Sequence, residues 1–166
     1  WAVLYLNVFQ DLDEVFERLT KSLEIDPSYD WTHALLGDYY SRTAQENDDP
    51  TSKEQALQKA AEHYSQAYEL TSPRDQSTQF NYLLVLANTH ILLDQPLLAV
   101  EAYEQALDLD VNSQDRWRIE ETIGRVYAQM GDIEKALFWL TRALMSAPEE
   151  ERERLQSMVV QIEAQR

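Results

Sequence analysis

The sequence predicts an all-α fold built from antiparallel helix pairs. Its 166 residues include only three Gly and five Pro, a composition that favours helices over turn-rich β structure. Between residues 117 and 148, small and apolar side chains recur at helical spacing in two segments, separated by Met130-Gly131-Asp132. Related patterns occur earlier in the chain, so these pairs form a repeat array. A hydrophobic content of 44% suffices for one domain of ordinary size.

The segment 117–148 explains the pairing physically. Gly124 lies inside a helical run, where Gly costs about 1 kcal/mol relative to Ala, which makes sense if another helix approaches closely there. Ala136 and Ala143 are the small partners on the second helix, seven residues apart and therefore on one face. Leu140 and Tyr127 supply the bulk between them. We expect a tight crossing at Gly124.

The same segment carries the signals that start and stop its helices. Gly131 can take a positive φ and close the first helix, and Asp132 is a good N-cap for the second. Pro148 then stops the second helix.

The spacing Gly-x-x-Tyr, eight residues, then Ala-x-x-x-Leu-x-x-Ala-x-x-x-x-Pro resembles that of a tetratricopeptide repeat. The resemblance covers nearly the whole chain. It implies an α-solenoid, a right-handed superhelix of antiparallel helix pairs, with about three and a half repeats and a C-terminal capping helix. We predict a single domain that comprises a partial repeat 1–27, a repeat with extended helices 28–72, repeats 73–113 and 114–148, and a capping helix 149–166.

The second repeat has eleven more residues between Tyr40 and Ala60 than the last repeat has between Tyr127 and Ala136. Eleven residues are close to three helical turns, so lengthening both helices keeps their apolar faces in register. We expect the loop tip at 46–50, followed by a capping-box start at 51–54. In the next repeat, we expect Ser72 to cap a helix that starts at Pro73, and Pro96 to start its partner.

The two ends of the chain differ in character. Residues 1–9 are apolar on nearly every side, which predicts the tail of a buried helix, with a membrane-proximal helix or a dimer contact as alternatives. A second helix is expected at about 13–25. Because the chain starts at Trp1 rather than Met, we expect an excised piece of a longer protein. At the other end, Leu155, Met158, Val159 and Ile162 form one apolar stripe on a charged helix, as an end cap requires.

Charge and motifs exclude several classes of function. The net charge of −16 argues against a nucleic-acid binder and an anionic membrane surface, and suits a basic partner or simply solubility. No apolar run is long enough to span a bilayer, so no membrane insertion is expected of this fragment. We find no catalytic motif, no cofactor-binding motif and no metal-binding spacing, so we predict a non-enzyme without cofactors. The three His are separated in sequence, and packing or surface roles are expected for them.

The resemblance implies binding of a protein or peptide in the concave groove formed by the first helices. Carried over by position, the predicted groove residues are Asp38, Arg42, Leu84, Asn88, Ile91, Arg118, Glu121 and Arg125. Arg118 and Arg125 concentrate positive charge on an acidic chain, and they would hold a carboxylate of the partner. The alternative is a solvated face with local Arg–Glu pairs.

One subclass of the family grips a C-terminal carboxylate with Lys, Asn and Arg residues. Asn88 matches one of those places, but Leu84 and Ala34 stand where polar groups would help, so the sequence departs from that pattern.

Three functions remain open at this point: an interaction scaffold, a regulatory or docking domain of a larger enzyme or membrane-anchored protein, and an oligomerisation unit. Partner identity, oligomeric state and compartment are not determined by these residues, with the cytoplasm as the default and an exported or membrane-tethered parent protein as the alternative.

Overall fold

A computed structural model describes residues 12–109 and 116–164. Those residues form eight α-helices and no strand, which confirms the all-α prediction. The helices are α1 (Leu12–Ile25), α2 (Asp30–Glu46), α3 (Pro50–Leu70), α4 (Gln76–Leu92), α5 (Pro96–Asp108), α6 (Arg116–Gln129), α7 (Ile133–Ser146) and α8 (Glu149–Glu163). The helix expected at 13–25 and the helix start at Pro96 are confirmed. The apolar segment 1–9 lies outside the described residues.

The chain forms two compact units, Trp1–Ala102 and Tyr103–Arg166, here called the N-terminal and C-terminal units. In the N-terminal unit, α1 packs against α2, α2 packs along α3, and α3 packs against α4. In the C-terminal unit, α6 packs along α7 and α7 packs against α8. The repeat boundaries given above stay a prediction.

The hairpin α2–α3 is longer than the hairpin α6–α7. α2 has 17 residues and α3 has 21, whereas α6 and α7 have 14 each. The extra residues of the second repeat therefore lengthen both helices, as their apolar periodicity predicts. Only residues 47–49 separate the two long helices.

The expected start of α3 was misplaced. Asp49 is the N-cap, with Pro50 as the first helical residue, and the Asp49 carboxylate accepts a hydrogen bond from the Ser52 backbone N–H at 2.8 Å. The capping box at 51–54 is therefore wrong. A carboxylate at the cap also interacts favourably with the positive end of the helix dipole, and Pro at the next position removes an N–H that would otherwise lack a partner.

The expected start of α4 was also misplaced. The helix begins at Gln76, and Asp75 is its N-cap, accepting from the Thr78 backbone N–H at 3.2 Å. Ser72 instead closes a turn, because its carbonyl accepts from the Asp75 N–H at 2.9 Å. In both helices, a nearby Asp prevails over a Ser or Thr as the cap.

The hairpins α2–α3 and α6–α7 each cross at a glycine. A Cβ built on Gly37 would meet the Tyr64 ring, with Cδ1 at 2.6 Å, and a Cβ built on Gly124 would meet Leu140 Cγ at 2.7 Å. Ala136 is fully buried beside the second crossing. The tight approach expected at Gly124 is confirmed.

Two turns share one backbone pattern. After α6, Gly131 has φ 79° and the Asp132 N–H donates to the Tyr127 carbonyl at 2.9 Å. After α4, Asp94 has φ 55° and the Gln95 N–H donates to the His90 carbonyl at 2.9 Å. Asp132 then caps α7 by accepting from the Lys135 N–H at 3.1 Å, as predicted. The left-handed position is thus filled by Gly in one turn and by Asp in the other.

Candidate functional site

The groove residues on α2 belong to hydrogen-bonded pairs. The Tyr64 hydroxyl donates to Asp38 Oδ1 at 2.7 Å, and the Ser41 hydroxyl lies 3.3 Å from the same Tyr64 oxygen. Burial raises the pKa of the Asp38 carboxyl, and the hydrogen bond from Tyr64 opposes that rise. Arg42 pairs with Glu46 one turn along the helix, at 2.9 Å. Asp38 is thus a partly desolvated carboxylate held in place from the neighbouring helix.

The groove residues on α4 present apolar and amide groups. Asn88 and Ile91 are exposed and Leu84 is half-buried, while Leu83 and Ala87 on the adjoining face are buried. Leu92 extends the exposed apolar surface, with 62% of the residue accessible. This face of α4 can therefore contact an apolar side chain of a partner.

Tyr82, on α4, is a feature that sequence reasoning missed. Its ring is buried against Ala34, Ala67 and Tyr68. Within the described residues its buried hydroxyl has no hydrogen-bond partner. Burial raises its pKa to about 12, and the nearby Asp30 carboxylate adds to that rise.

On α6, Glu121 does not face solvent as a groove residue would. It is 7% exposed and accepts two hydrogen bonds from Arg154 of α8, both at 2.7 Å. The pKa of Glu121 is lowered, first by the hydrogen bonds from Arg154 and further by the positive charges of Arg154, Arg125 and Arg118, against the opposing effect of burial. Three guanidinium groups therefore act on one carboxylate, Arg154 by direct contact and the other two through space.

Arg118 and Arg125 lie on the exposed side of α6. The Arg118 guanidinium lies over the Trp117 ring, 5.1 Å from its centre. Because the two arginines are seven residues apart, they share one helix face. We call Arg118, Arg125 and Arg154 the α6 arginine cluster.

Glu120, the neighbour of Glu121, faces the other partner helix. Its carboxylate lies 3.0 Å from Arg142 of α7 and accepts from the Ser146 hydroxyl at 2.9 Å. Adjacent residues on a helix point about 100° apart, so α6 is tied to α7 by Glu120 and to α8 by Glu121. The two carboxylates therefore hold α6 against its two neighbouring helices.

Two of the three histidines are in contact, although all three are far apart in the sequence. His33 Nδ1 lies 3.1 Å from His63 Nδ1, and His33 Nε2 lies 3.1 Å from the Pro27 carbonyl oxygen. His90 is bound separately, to Gln95 Oε1 at 2.8 Å. No spacing rule points to the first pair, since the two residues are 30 positions apart on different helices.

Neither a metal cluster nor a membrane-spanning helix occurs in the described ranges. Across residues 12–109 and 116–164, no three His, Cys, Asp or Glu side chains gather closely enough to hold a metal ion. None of the helices in these ranges has the length and apolar character that a bilayer crossing requires.

Comparison with known proteins agrees with this architecture. The sequence profile of the tetratricopeptide repeat matches residues 80–112 and 121–150. No curated protein sequence matches the chain.

Several solved structures share the fold, among them the following three. A thermophilic tetratricopeptide-repeat protein of Thermus thermophilus, TTC0263, superposes with a TM-score of 0.63 at 20% identity, covering 97% of this chain and 77% of that one. One structure of MamA superposes with a TM-score of 0.63 at 17% identity, and the match covers 93% of this chain and 90% of MamA. A second MamA structure superposes with a TM-score of 0.62 at 19% identity, and the match covers 97% of this chain and 87% of that one.

Repeats of this kind generally act as non-catalytic modules that bind protein partners. The glycine crossings, the capped turns, the profile matches and the shared fold agree: residues 80–112 and 121–150 match the tetratricopeptide repeat, and the chain has the fold of tetratricopeptide-repeat proteins.

Proposed function

We propose that this chain is a non-catalytic protein–protein interaction module that holds a peptide or helix against the first helices of its repeats. In the N-terminal unit the contact residues are Asp38, Arg42, Leu84, Asn88 and Ile91. In the C-terminal unit they are Arg118 and Arg125, with Glu121 positioning the arginines around it.

The α6 arginine cluster carries the proposal. Glu121 already forms an ion pair with Arg154, so its negative charge is compensated within the chain. Arg118 and Arg125 act on the same carboxylate through space, so positive charge is concentrated at this surface of a chain whose overall charge is −16. Arginine is well suited to carboxylates because its planar guanidinium can donate two parallel hydrogen bonds. A carboxylate on the partner is therefore the preferred anchor.

The exposed face of α4 supports a second type of contact. Ile91 and Leu92 expose apolar surface next to the amide of Asn88. An extended peptide offers backbone groups for an amide and alternate side chains for an apolar surface. This part of the proposal predicts a partner with at least one apolar side chain.

Calorimetric titration with a peptide that ends in acidic residues and a free carboxylate tests the anchor. Arg125→Ala is expected to weaken binding by about tenfold, equivalent to about 1.4 kcal/mol. Arg152→Ala is the matched control, since Arg152 is an exposed arginine of the same unit that pairs with Glu149 at 2.8 Å.

Equal weakening by both variants would mean that the peptide responds to general charge and would overturn the anchor. No binding of the acidic peptide would do the same. Binding of a basic peptide in its place, unaffected by Arg125→Ala, would support the interaction module with the opposite choice of partner.

A further inference from the structure

The His33–His63 contact joins the two helices of the α2–α3 hairpin. The Nδ1 atoms are 3.1 Å apart and the ring centres 5.4 Å apart, so both nitrogens lie close to the line that joins the rings. This head-on arrangement is that of an N–H···N hydrogen bond. Two imidazoles that bind one metal ion would instead aim their lone pairs at a point beside that line.

The tautomers of both rings follow from the neighbouring carbonyl. The Pro27 carbonyl oxygen can only accept, so His33 Nε2 carries a hydrogen and donates to it. In neutral His33, Nδ1 then has only a lone pair. His63 Nδ1 must therefore carry the hydrogen that joins the rings, which leaves His63 Nε2 as the site for an added proton.

One added proton is compatible with this geometry and a second is not. A proton on His63 Nε2 leaves the His63 Nδ1–H bond to neutral His33 intact. A further proton must go to His33 Nδ1, which would place two N–H groups and two positive charges face to face. The N–H···N contact therefore accommodates one added proton and is disrupted by a second.

The surroundings disfavour the charged form. The pKa of His63 is lowered to about 4, first by burial and then by the positive charges of His33 and Lys59, which act in the same direction. Tyr40 of α2 stacks on His63, with ring centres 5.6 Å apart and an angle of 7° between the planes. The nearby Glu62 carboxylate acts on Tyr40, whose pKa rises mainly through burial and further through that charge.

We propose that the His33–His63 pair is a pH-sensitive clasp of the α2–α3 hairpin, closed in the neutral and singly protonated forms and opened by the second proton. Opening separates α2 from α3 at the ring contact. This role is independent of the partner proposed above, since neither ring belongs to the predicted groove residues.

Nitrogen-15 NMR of the histidine rings in the whole chain tests the closed form. At pH 8 the expected tautomers are Nε2–H for His33 and Nδ1–H for His63, the latter being the rarer form in free histidine. Nε2–H on both rings would overturn the proposal, because no hydrogen would then lie between the two Nδ1 atoms.

Thermal unfolding against pH tests the opening. The folded pKa of His63 is lowered relative to the ordinary value of 6.5, so the neutral ring stabilises the fold above pH 6.5 and this contribution is lost as the pH falls toward 4. In this window the His63 ring takes up to one proton per chain on unfolding. His63→Asn keeps an N–H donor near the Nδ1 position without a titrating group, so the Tm of this variant is expected to fall by several degrees less than that of the wild type across the window.

His90→Asn is the matched control, since His90 is a bonded histidine outside the pair. It should leave the pH dependence of Tm as in the wild type. If His90→Asn flattens the dependence as much as His63→Asn does, or if His63→Asn does not change it, the clasp is refuted.

Discussion

The hairpins α2–α3 and α6–α7 solve the same packing problem with different chemistry. Both cross at a glycine, Gly37 and Gly124, against one large side chain of the second helix. In α6–α7 that side chain is Leu140, fully buried and purely apolar. In α2–α3 it is Tyr64, whose ring fills the space and whose hydroxyl binds Asp38. The close approach is thus common to both, while only one hairpin couples its crossing to a charged group.

The largest expected effect tests whether the glycine crossing is indispensable. Gly124→Leu should lower the free energy of unfolding by about 3 kcal/mol, because the new side chain would overlap Leu140 Cγ and the Leu140 backbone nitrogen, 3.1 Å from the Cβ position. Denaturant unfolding measures it. An unchanged midpoint would show that the helices can move apart without loss of stability, so the glycine would not be required at the crossing.

The next effect measures what the hydroxyl of Tyr64, which Leu140 lacks, adds to its crossing. Tyr64→Phe keeps the ring over Gly37 but removes the donor to Asp38, so the variant should lose about 1–2 kcal/mol of stability. A cycle with Asp38→Asn apportions the loss between the hydroxyl and the carboxylate. If Tyr64→Phe is neutral, the hydroxyl adds nothing, and the two crossings are energetically equivalent.

The ionisation of Asp38 makes the stability of the α2–α3 hairpin depend on pH. Burial raises its folded pKa, so the stabilising contribution of the protonated form is present below the ordinary value of 3.8 and is lost as pH rises through the folded pKa. Asp38→Asn removes this titration while keeping an acceptor for Tyr64. Its unfolding free energy should therefore fall less than that of the wild type as pH rises through this range. Parallel pH profiles would contradict the assignment.

A smaller effect concerns the two turns with a left-handed residue. Asp94→Gly should stabilise the chain by about 0.5–1 kcal/mol, since glycine removes the side-chain conflict at positive φ but adds freedom to the unfolded chain. Gly131→Ala, which adds a side chain at the corresponding position of the other turn, should destabilise the chain by about 1 kcal/mol. Two changes of the same sign, measured by thermal unfolding, would show that the turns are not equivalent.

The smallest effect uses Tyr82 as the counterpart of Tyr64. Its hydroxyl is buried without a partner among the described residues, so Tyr82→Phe should change stability by less than about 0.5 kcal/mol or raise it. A loss as large as that of Tyr64→Phe, measured by denaturant unfolding, would reveal a hydrogen bond and remove the contrast between the two tyrosines.

Much of this fold could be predicted because small and large residues at fixed spacing define which helix faces meet. Gly124, Leu140 and Ala143 require only a helical period and a close crossing. Cap positions were harder, since Asp49 and Asp75 competed with Ser and Thr residues a few positions away, and the choice depends on where the helix actually begins.

The contacts of long polar side chains were not predictable in this way. Helix register aligns Asp30 with Thr71, bonded at 2.9 Å, and Gly37 with Tyr64. His33 and His63 fall outside this register by more than a turn and meet only because both rings reach along the hairpin. Periodicity places Glu121 on a helix face but does not determine which distant cation will cover it.

Glu121 also has a consequence for the order in which the chain is made. It leaves the ribosome 33 residues before Arg154, a delay of a few seconds at about 5–20 residues per second. During that interval the nascent α6–α7 hairpin carries a carboxylate whose permanent counter-ion does not yet exist. The C-terminal unit therefore reaches its final electrostatic balance only when α8 has been synthesised.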